Sequence, residues 1–182
     1  DILSGGYATI SLGDIGMYEA TRLITGESNT GEKGRVFAMK IIDRLNDAIN
    51  LWHDKHNLGF GLYGTPAESL TNRFSSLDRA RFGVIEDITD KGYYTNSYHV
   101  NVREEINVFD KFNFESEFQK KSTGGCISYA EIPNMTNNIP AVLTMIQYIY
   151  DHISYAEFNT KSDYCHECGF DGEIKVNENN EW

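Results

Sequence analysis

Apolar positions recur every three or four residues through the long segments of this chain and alternate through the short ones. From roughly Arg35 to His56, Phe37, Ile41, Leu45, Ala48, Ile49 and Trp52 keep an i, i+3/i+4 rhythm, which predicts the longest helix with those side chains on one face. A second stripe, Val142, Ile146, Ile149 and Ile153, predicts a helix capped by Asn138, with Pro140 in its first turn. Asp14 is placed to cap a third helix over Ile15–Ile24, with Gly26 as its stop. A fourth runs to about Phe82 and turns Leu70, Phe74 and Leu77 inward. Strand character appears at Tyr7–Leu12, Gly59–Tyr63, Tyr93–Val102 and Cys126–Glu131, while Ile106–Lys121 reads as a short helix and loop. Strands alternating with helices long enough to cross back imply parallel pairing and an α/β fold. An open sheet and a closed barrel look the same at this level.

The most informative stretch is Gly59–Phe74, where a short strand hands over to a helix at Gly64. Thr65 stands at the predicted N-cap, Pro66 at the first helical position and Glu68 three residues after the cap, so Thr65 and Glu68 can form a capping box. Ala67 and Ser69 lie in the first turn. Free amides and the helix dipole favour an anion there; a well-capped helix that binds nothing is the alternative. The text Gly59-Phe60-Gly61-Leu62-Tyr63-Gly64 matches a dinucleotide fingerprint, but its glycines fall within the strand, not in the turn after it. They predict close approach of a ligand or a neighbouring backbone.

Composition narrows the classes. The 182 residues, 40% of them hydrophobic, suit one soluble domain, or a domain plus a small appendage, and no run is long enough to span a membrane. A net charge of −11 argues against nucleic acid polymers. Two of the three cysteines form Cys165-His166-Glu167-Cys168, followed by Gly169. That spacing suits half of a tetrahedral zinc site or a redox pair; Gly169–Gly172 reads as a turn into a hairpin, which favours zinc. Cys126 reads as an inert buried thiol, and the five histidines show no metal-binding spacing. Starting at Asp1 and stopping soon after a half-built motif, the chain reads as a piece of a longer protein.

Five collinear blocks then add up to a resemblance: Thr9–Glu19 (TISLGDIGMYE), Gly59–Phe74 (GFGLYGTPAESLTNRF), Thr89–Val102 (TDKGYYTNSYHVNV), Pro133–Ala141 (PNMTNNIPA) and Tyr155–Ile174 (YAEFNTKSDYCHECGFDGEI). Together they resemble the C-terminal part of the anaerobic, class III ribonucleoside-triphosphate reductases, which are glycyl-radical enzymes. The resemblance implies the later strands and helices of a ten-stranded α/β barrel over residues 1–156, then the first half of a zinc ribbon over 157–182. It implies reduction of ribonucleoside triphosphates to deoxyribonucleotides with formate or a thiol system as reductant. A glycyl radical would oxidise a cysteine whose thiyl abstracts the ribose 3′-hydrogen. An activase carrying an iron–sulfur cluster and S-adenosylmethionine would install that glycyl radical.

On this resemblance Thr65, Ala67, Glu68 and Ser69 would bind substrate phosphates, and Cys165 and Cys168 would be two of four zinc ligands. Nucleotide effectors, a homodimer and a cytoplasmic location are implied for the full-length form. The family's Arg-x-Cys-Gly-Tyr motif and second C-x-x-C are absent, and the thiyl loop would precede Asp1. The chain alone is therefore expected to be inactive and to bind zinc weakly. Asp14 stands where the family usually has Tyr, and Cys126 where a small or aromatic residue is expected; one sequence assigns neither a consequence. A non-catalytic module that binds nucleotides or partners, with a zinc ribbon, is the alternative from another class.

Overall fold

The computed structural model describes residues 5, 7–64, 66–160 and 163–172. β1 (Thr9–Gly13) and β2 (Gly59–Gly64) pair in parallel, from Thr9 opposite Gly59 to Gly13 opposite Tyr63. Parallel neighbours need a crossover, here α1 (Met17–Thr25) and α2 (Glu32–His56). After α3 (Ser69–Phe82) and α4 (Val108–Gln119) the chain returns as β3 (Gly125–Cys126), parallel to the end of β2. One residue later β4 (Ser128–Ile132) begins, and α5 (Ile139–His152) carries the chain to β5 (Ala156–Thr160), parallel to β4. A small antiparallel hairpin, β6 (Asp163–Tyr164) with β7 (Asp171–Gly172), ends the described chain. The architecture is mixed α/β with parallel strands, as the alternation predicts.

The strand glycines serve a neighbouring backbone. A Cβ on Gly61 would stand 2.7 Å from the Gly124 Cα, and the Gly124 amide donates to the Leu62 carbonyl at 2.6 Å. Two facing glycines thus let the chain entering β3 lie against β2.

One face of the strands carries the core. Leu62 packs with Ala38, Ile42 and Ile49 of α2 and with Tyr98, Phe114 and Phe118; a second cluster joins Phe112, Ala130, Ile132, Met145 and Ile153. α4 contributes to both. The buried row of α2 is Gly34, Ala38, Ile42 and Ile49, turned from the expected row. Gly34 sets this orientation, because a Cβ there would collide with the Ser28 carbonyl oxygen at 1.8 Å. α5 keeps Asn138 as its N-cap position, without a side-chain cap bond, and buries Met145 where Ile146 was expected.

Four other expectations fail for local reasons. Asp14 does not cap α1; Gly16 does, at φ 84°, and Asp14 accepts a hydrogen bond from Ser97. α3 starts at Ser69 with Glu68 as its N-cap residue at φ 44°, so the helix begins later than expected and Pro66 precedes it. Thr65 lies outside the described residues. The inward side chains of α3 are Thr71 and Ser75, while Leu70, Phe74 and Leu77 are exposed. Finally, Tyr93–Val102 is not a strand. Its pairing is one bridge, Asn96 to Ile15, and it turns at Ser97 (φ 44°), where the His99 amide donates to the Asn96 carbonyl at 3.0 Å. Thr95, Ser97, Tyr98, His99, Val100 and Asn101 are all buried, so both sides of the apparent alternation face protein.

Candidate functional site

β1 ends at Gly13, β2 at Gly64, and β4 runs on beside the space that β2 leaves. Residues 93–106 fold into that space and, with Thr71 of α3, Lys111 of α4 and Tyr129–Glu131 of β4, enclose a cavity of about 440 Å³. The carboxyl ends of parallel strands are where α/β proteins hold ligands.

The cavity wall is a polar scaffold in which short side chains replace the ladder that a strand would have supplied. Glu19 of α1 is its hub. Its Oε1 accepts from the Thr95 amide at 3.0 Å, the Thr95 hydroxyl at 2.9 Å and the Lys91 ammonium at 2.6 Å. The Lys91 side chain is 1% exposed and its Nζ lies 4.6 Å from the Tyr18 ring centroid, so the charge is enclosed by a carboxylate and an aromatic face. Asn101 donates to the Thr95 hydroxyl at 2.9 Å, and Asn29 donates to the Tyr98 carbonyl at 2.9 Å. The Val100 amide and the Lys111 ammonium both donate to Glu115, which is fully buried.

The start of α3 is tied to this scaffold. The Ala67 amide donates to the Asn96 side-chain carbonyl at 2.9 Å, and the Tyr94 amide donates to the Thr71 carbonyl at 3.1 Å. The Tyr94 hydroxyl donates to Asp78 one face further along, at 2.8 Å. The Tyr129 phenol is pushed up first by burial and then by Glu157, Tyr155, Tyr63 and Glu68. Of the residues predicted from sequence, Ala67, Glu68 and Ser69 therefore stand together at the head of α3, and Asn96 and Thr71 connect that point to the cavity wall. One of the expected free amides, that of Ala67, is already engaged.

Asn96, His99 and Tyr129 were not singled out by sequence. The available signal was Thr95-Asn96-Ser97, three short polar residues between tyrosines, which compete for backbone partners and so disfavour a strand. The strand face opposite the core was not foreseen either. It presents Tyr63, Tyr129, Glu131, Glu157 and Asn159, with Thr9 and Ser11 on β1. Cys126 is half-buried and burial pushes its thiol up, in keeping with an inert residue.

Cys165 and Cys168 flank the turn between β6 and β7. The Gly169 amide donates to the Cys165 carbonyl and the Cys165 amide to the Phe170 carbonyl, each at 2.9 Å. Amides of Cys168, then Glu167, aimed at the Cys165 sulfur hold that thiol below its ordinary range. A knuckle that stabilises a thiolate fits a metal ligand pair. Among the described residues no group of three or more His, Cys, Asp or Glu is placed to hold a metal ion. No helix among the described residues is long and apolar enough to cross a membrane.

Fold and site together define an α/β protein with parallel strands, a cavity walled by residues 93–106 and β4, and a cysteine knuckle following them. The chain belongs to the anaerobic ribonucleoside-triphosphate reductase family, whose sequence model matches residues 1–180. It is 42% identical over 177 residues to the anaerobic ribonucleoside-triphosphate reductase of Salmonella typhimurium, covering 96% of this chain and 25% of that protein. The reductase of enterobacteria phage T4 is 36% identical over 179 residues, 98% of this chain and 28% of that one. The chain thus spans about a quarter of the length of the relatives it matches. Among solved structures, the anaerobic ribonucleotide reductase of Thermotoga maritima in complex with dATP and CTP superposes with a TM-score of 0.69, at 22% identity, over 92% of this chain and 29% of that one. An anaerobic ribonucleotide reductase chain gives 0.72 over 92% of this chain and 28% of its own length. At such identities the likeness concerns the fold.

Proposed function

We propose that this chain is the part of an anaerobic ribonucleoside-triphosphate reductase that receives the triphosphate of the substrate at the head of α3. The observation that carries the reading is the position of Ala67–Ser69. Ala67 and Glu68 lead into a 14-residue helix that opens at Ser69 after β2, and the Ala67 amide is tethered to Asn96, which lines the cavity together with Thr71 of the same helix. The amides leading the helix and its dipole supply positive potential without a lysine. The carboxylate of Glu68 works against an anion, so in this reading the side chain turns away and its amide contributes.

The strands are read as part of a ten-stranded barrel whose interior is the face carrying Tyr63, Tyr129 and Glu131. The glycyl radical, on a segment outside this chain, supplies the one-electron chemistry that exchanges the ribose 2′-hydroxyl for hydrogen, with formate or a thiol system as reductant. A radical-S-adenosylmethionine activase installs that radical. The residues of this chain hold the nucleotide: α3 takes the phosphates, and Asn96, His99 and Tyr129 border the space beside them. Cys165 and Cys168 would hold zinc with two further ligands, as a structural clamp on the segment that follows β5. Effector binding and dimer formation belong to the full-length protein.

The test is the double variant Thr65→Ala/Ser69→Ala in the full-length protein. Losing hydroxyl contacts to phosphate should raise the KM for CTP roughly tenfold with kcat little changed, since a hydrogen bond to a charged group contributes about 1.5–3 kcal/mol. A folded variant with unaltered KM and unaltered tripolyphosphate binding would overturn the phosphate assignment.

A further inference from the structure

His99 reaches three parts of the site. Its Nδ1 lies 2.8 Å from the Asn96 carbonyl oxygen, its Nε2 lies 2.7 Å from the Ile127 carbonyl oxygen, and its ring stacks on Tyr98 at 4.9 Å. A carbonyl oxygen only accepts, and a neutral imidazole has a single N–H. A neutral ring would therefore turn a lone pair towards one of two carbonyls at hydrogen-bonding distance. The imidazolium donates to both. The residue is 6% exposed, so water does not readily take the place of a lost partner.

The surroundings suit a charge. Asp14, at the end of β1, is close enough for the His99 charge to ease its carboxyl downwards against the stronger effect of burial, and the Ser97 hydroxyl donates to Asp14 at 2.8 Å. Tyr129 of β4 faces the ring with centroids 6.3 Å apart. Glu104, Glu105 and Glu131 line the same cavity, and the other cation there, Lys111, is held by Glu115.

The two carbonyls belong to different segments: Asn96 lines the cavity, and Ile127 joins β3 to β4. Asn96 also fixes the Ala67 amide through its side chain, and the Ile127 amide donates to the Gly64 carbonyl at 3.2 Å. We propose that His99 is a positioning residue that acts as an imidazolium: donating from both nitrogens, it clamps the 96–99 turn to the junction of β3 and β4 and so sets the amides at the head of α3 for a nucleotide triphosphate. The functional half of this rests on the phosphate reading above; the charge state of the ring does not. Losing the proton breaks one clamp and loosens the site, so triphosphate affinity falls as pH rises. The expected loss is roughly tenfold, the size of one charge-assisted hydrogen bond.

Two measurements on the full-length protein test this. In histidine-labelled protein, ¹⁵N resonances assigned by their loss in His99→Gln should show both ring nitrogens protonated at neutral pH. A ring protonated on one nitrogen overturns the proposal, and this reading needs only the wild type if the variant fails to fold. Affinity for inorganic tripolyphosphate, titrated against pH, should fall about tenfold in the wild type and be weak and level in His99→Gln, which keeps a donor but carries no charge. A variant that loses stability yet keeps the wild-type pH profile overturns the positioning role. If the resonances report an imidazolium and no protein binds tripolyphosphate at any pH, the phosphate reading fails and the clamp stands as a structural one.

Discussion

α2 and α3 have similar periodicity in sequence and opposite orientations in the molecule. α2 buries Ala38, Ile42 and Ile49 against Leu62 of β2. α3 buries Thr71 and Ser75 and leaves Leu70, Phe74 and Leu77 exposed, at 40%, 42% and 56%. The difference lies in what each helix covers. α2 lies on the apolar side of a strand, whereas α3 lies against residues 92–96, to which it is joined by Asn72 donating to the Gly92 carbonyl, by the bond from the Tyr94 amide to Thr71, and by the Tyr94–Asp78 bond. An apolar stripe identifies a helix, but which face turns inward depends on whether the surface beneath is a sheet or a polar loop. Here the polar loop is the wall of the cavity, and it is the reason α3 departs from the pattern.

If the α3 side is held by polar contacts as the α2 side is held by apolar ones, its weakest point is the enclosed pair Lys91–Glu19. Lys91→Met should destabilise the protein by about 3–5 kcal/mol, because it leaves a carboxylate buried without its counter-charge. Glu19→Gln/Lys91→Met should recover much of that loss. Chemical unfolding midpoints read both. A small effect for Lys91→Met would mean that the Thr95 donors alone satisfy Glu19 and that the polar wall is not the main support of this side.

The second contrast is direct. Ile42→Ala should cost about 2–5 kcal/mol through the cavity it opens. Leu77→Ala should stay within about 0.5 kcal/mol, as for an exposed position. Equal costs in the full-length protein would show that the outer row of α3 is covered by another part of the polypeptide, and the two helices would then differ only in their partners.

The same contrast explains what could be read beforehand. β2 was legible because its glycines and apolar residues are local signals, and α2 and α5 because their stripes are long. The knuckle at Cys165–Cys168 was legible for the same reason, since spacing alone shapes it. The head of α3 was located to within four residues, but its cap was misassigned: Thr65, Pro66 and Glu68 make a good start on paper, and the bond from the Ala67 amide to Asn96, a residue 29 positions away, moves the start to Ser69. Tyr93–Val102 misled because alternation is evidence for a strand only when one side is left uncovered. In this segment Ser97, Tyr98, His99 and Val100 are buried in succession, with partners at Asp14, on α4 and on β4, and no window of ten residues contains them.

The smallest effect concerns Asp14, which joins the end of β1 to the cavity wall through Ser97. Its carboxyl is pushed above the ordinary value of 3.8, first by burial, with the Ser97 bond and the His99 charge opposing. A carboxyl that is harder to ionise in the folded than in the unfolded chain subtracts stability above the unfolded value. The subtraction begins near the ordinary carboxylate range, grows as pH rises to the raised native value and is constant beyond it. Asp14→Asn keeps an oxygen to accept from Ser97 and removes this slope. The variant should therefore match the wild type below the ordinary carboxylate range and gain on it between there and neutral pH, by a margin smaller than either contrast above. Unfolding midpoints of both proteins across pH 3–7 measure it, and a wild type that gains on the variant as pH rises would show that His99 and Ser97 outweigh burial at Asp14, making the polar wall stronger than its geometry indicates.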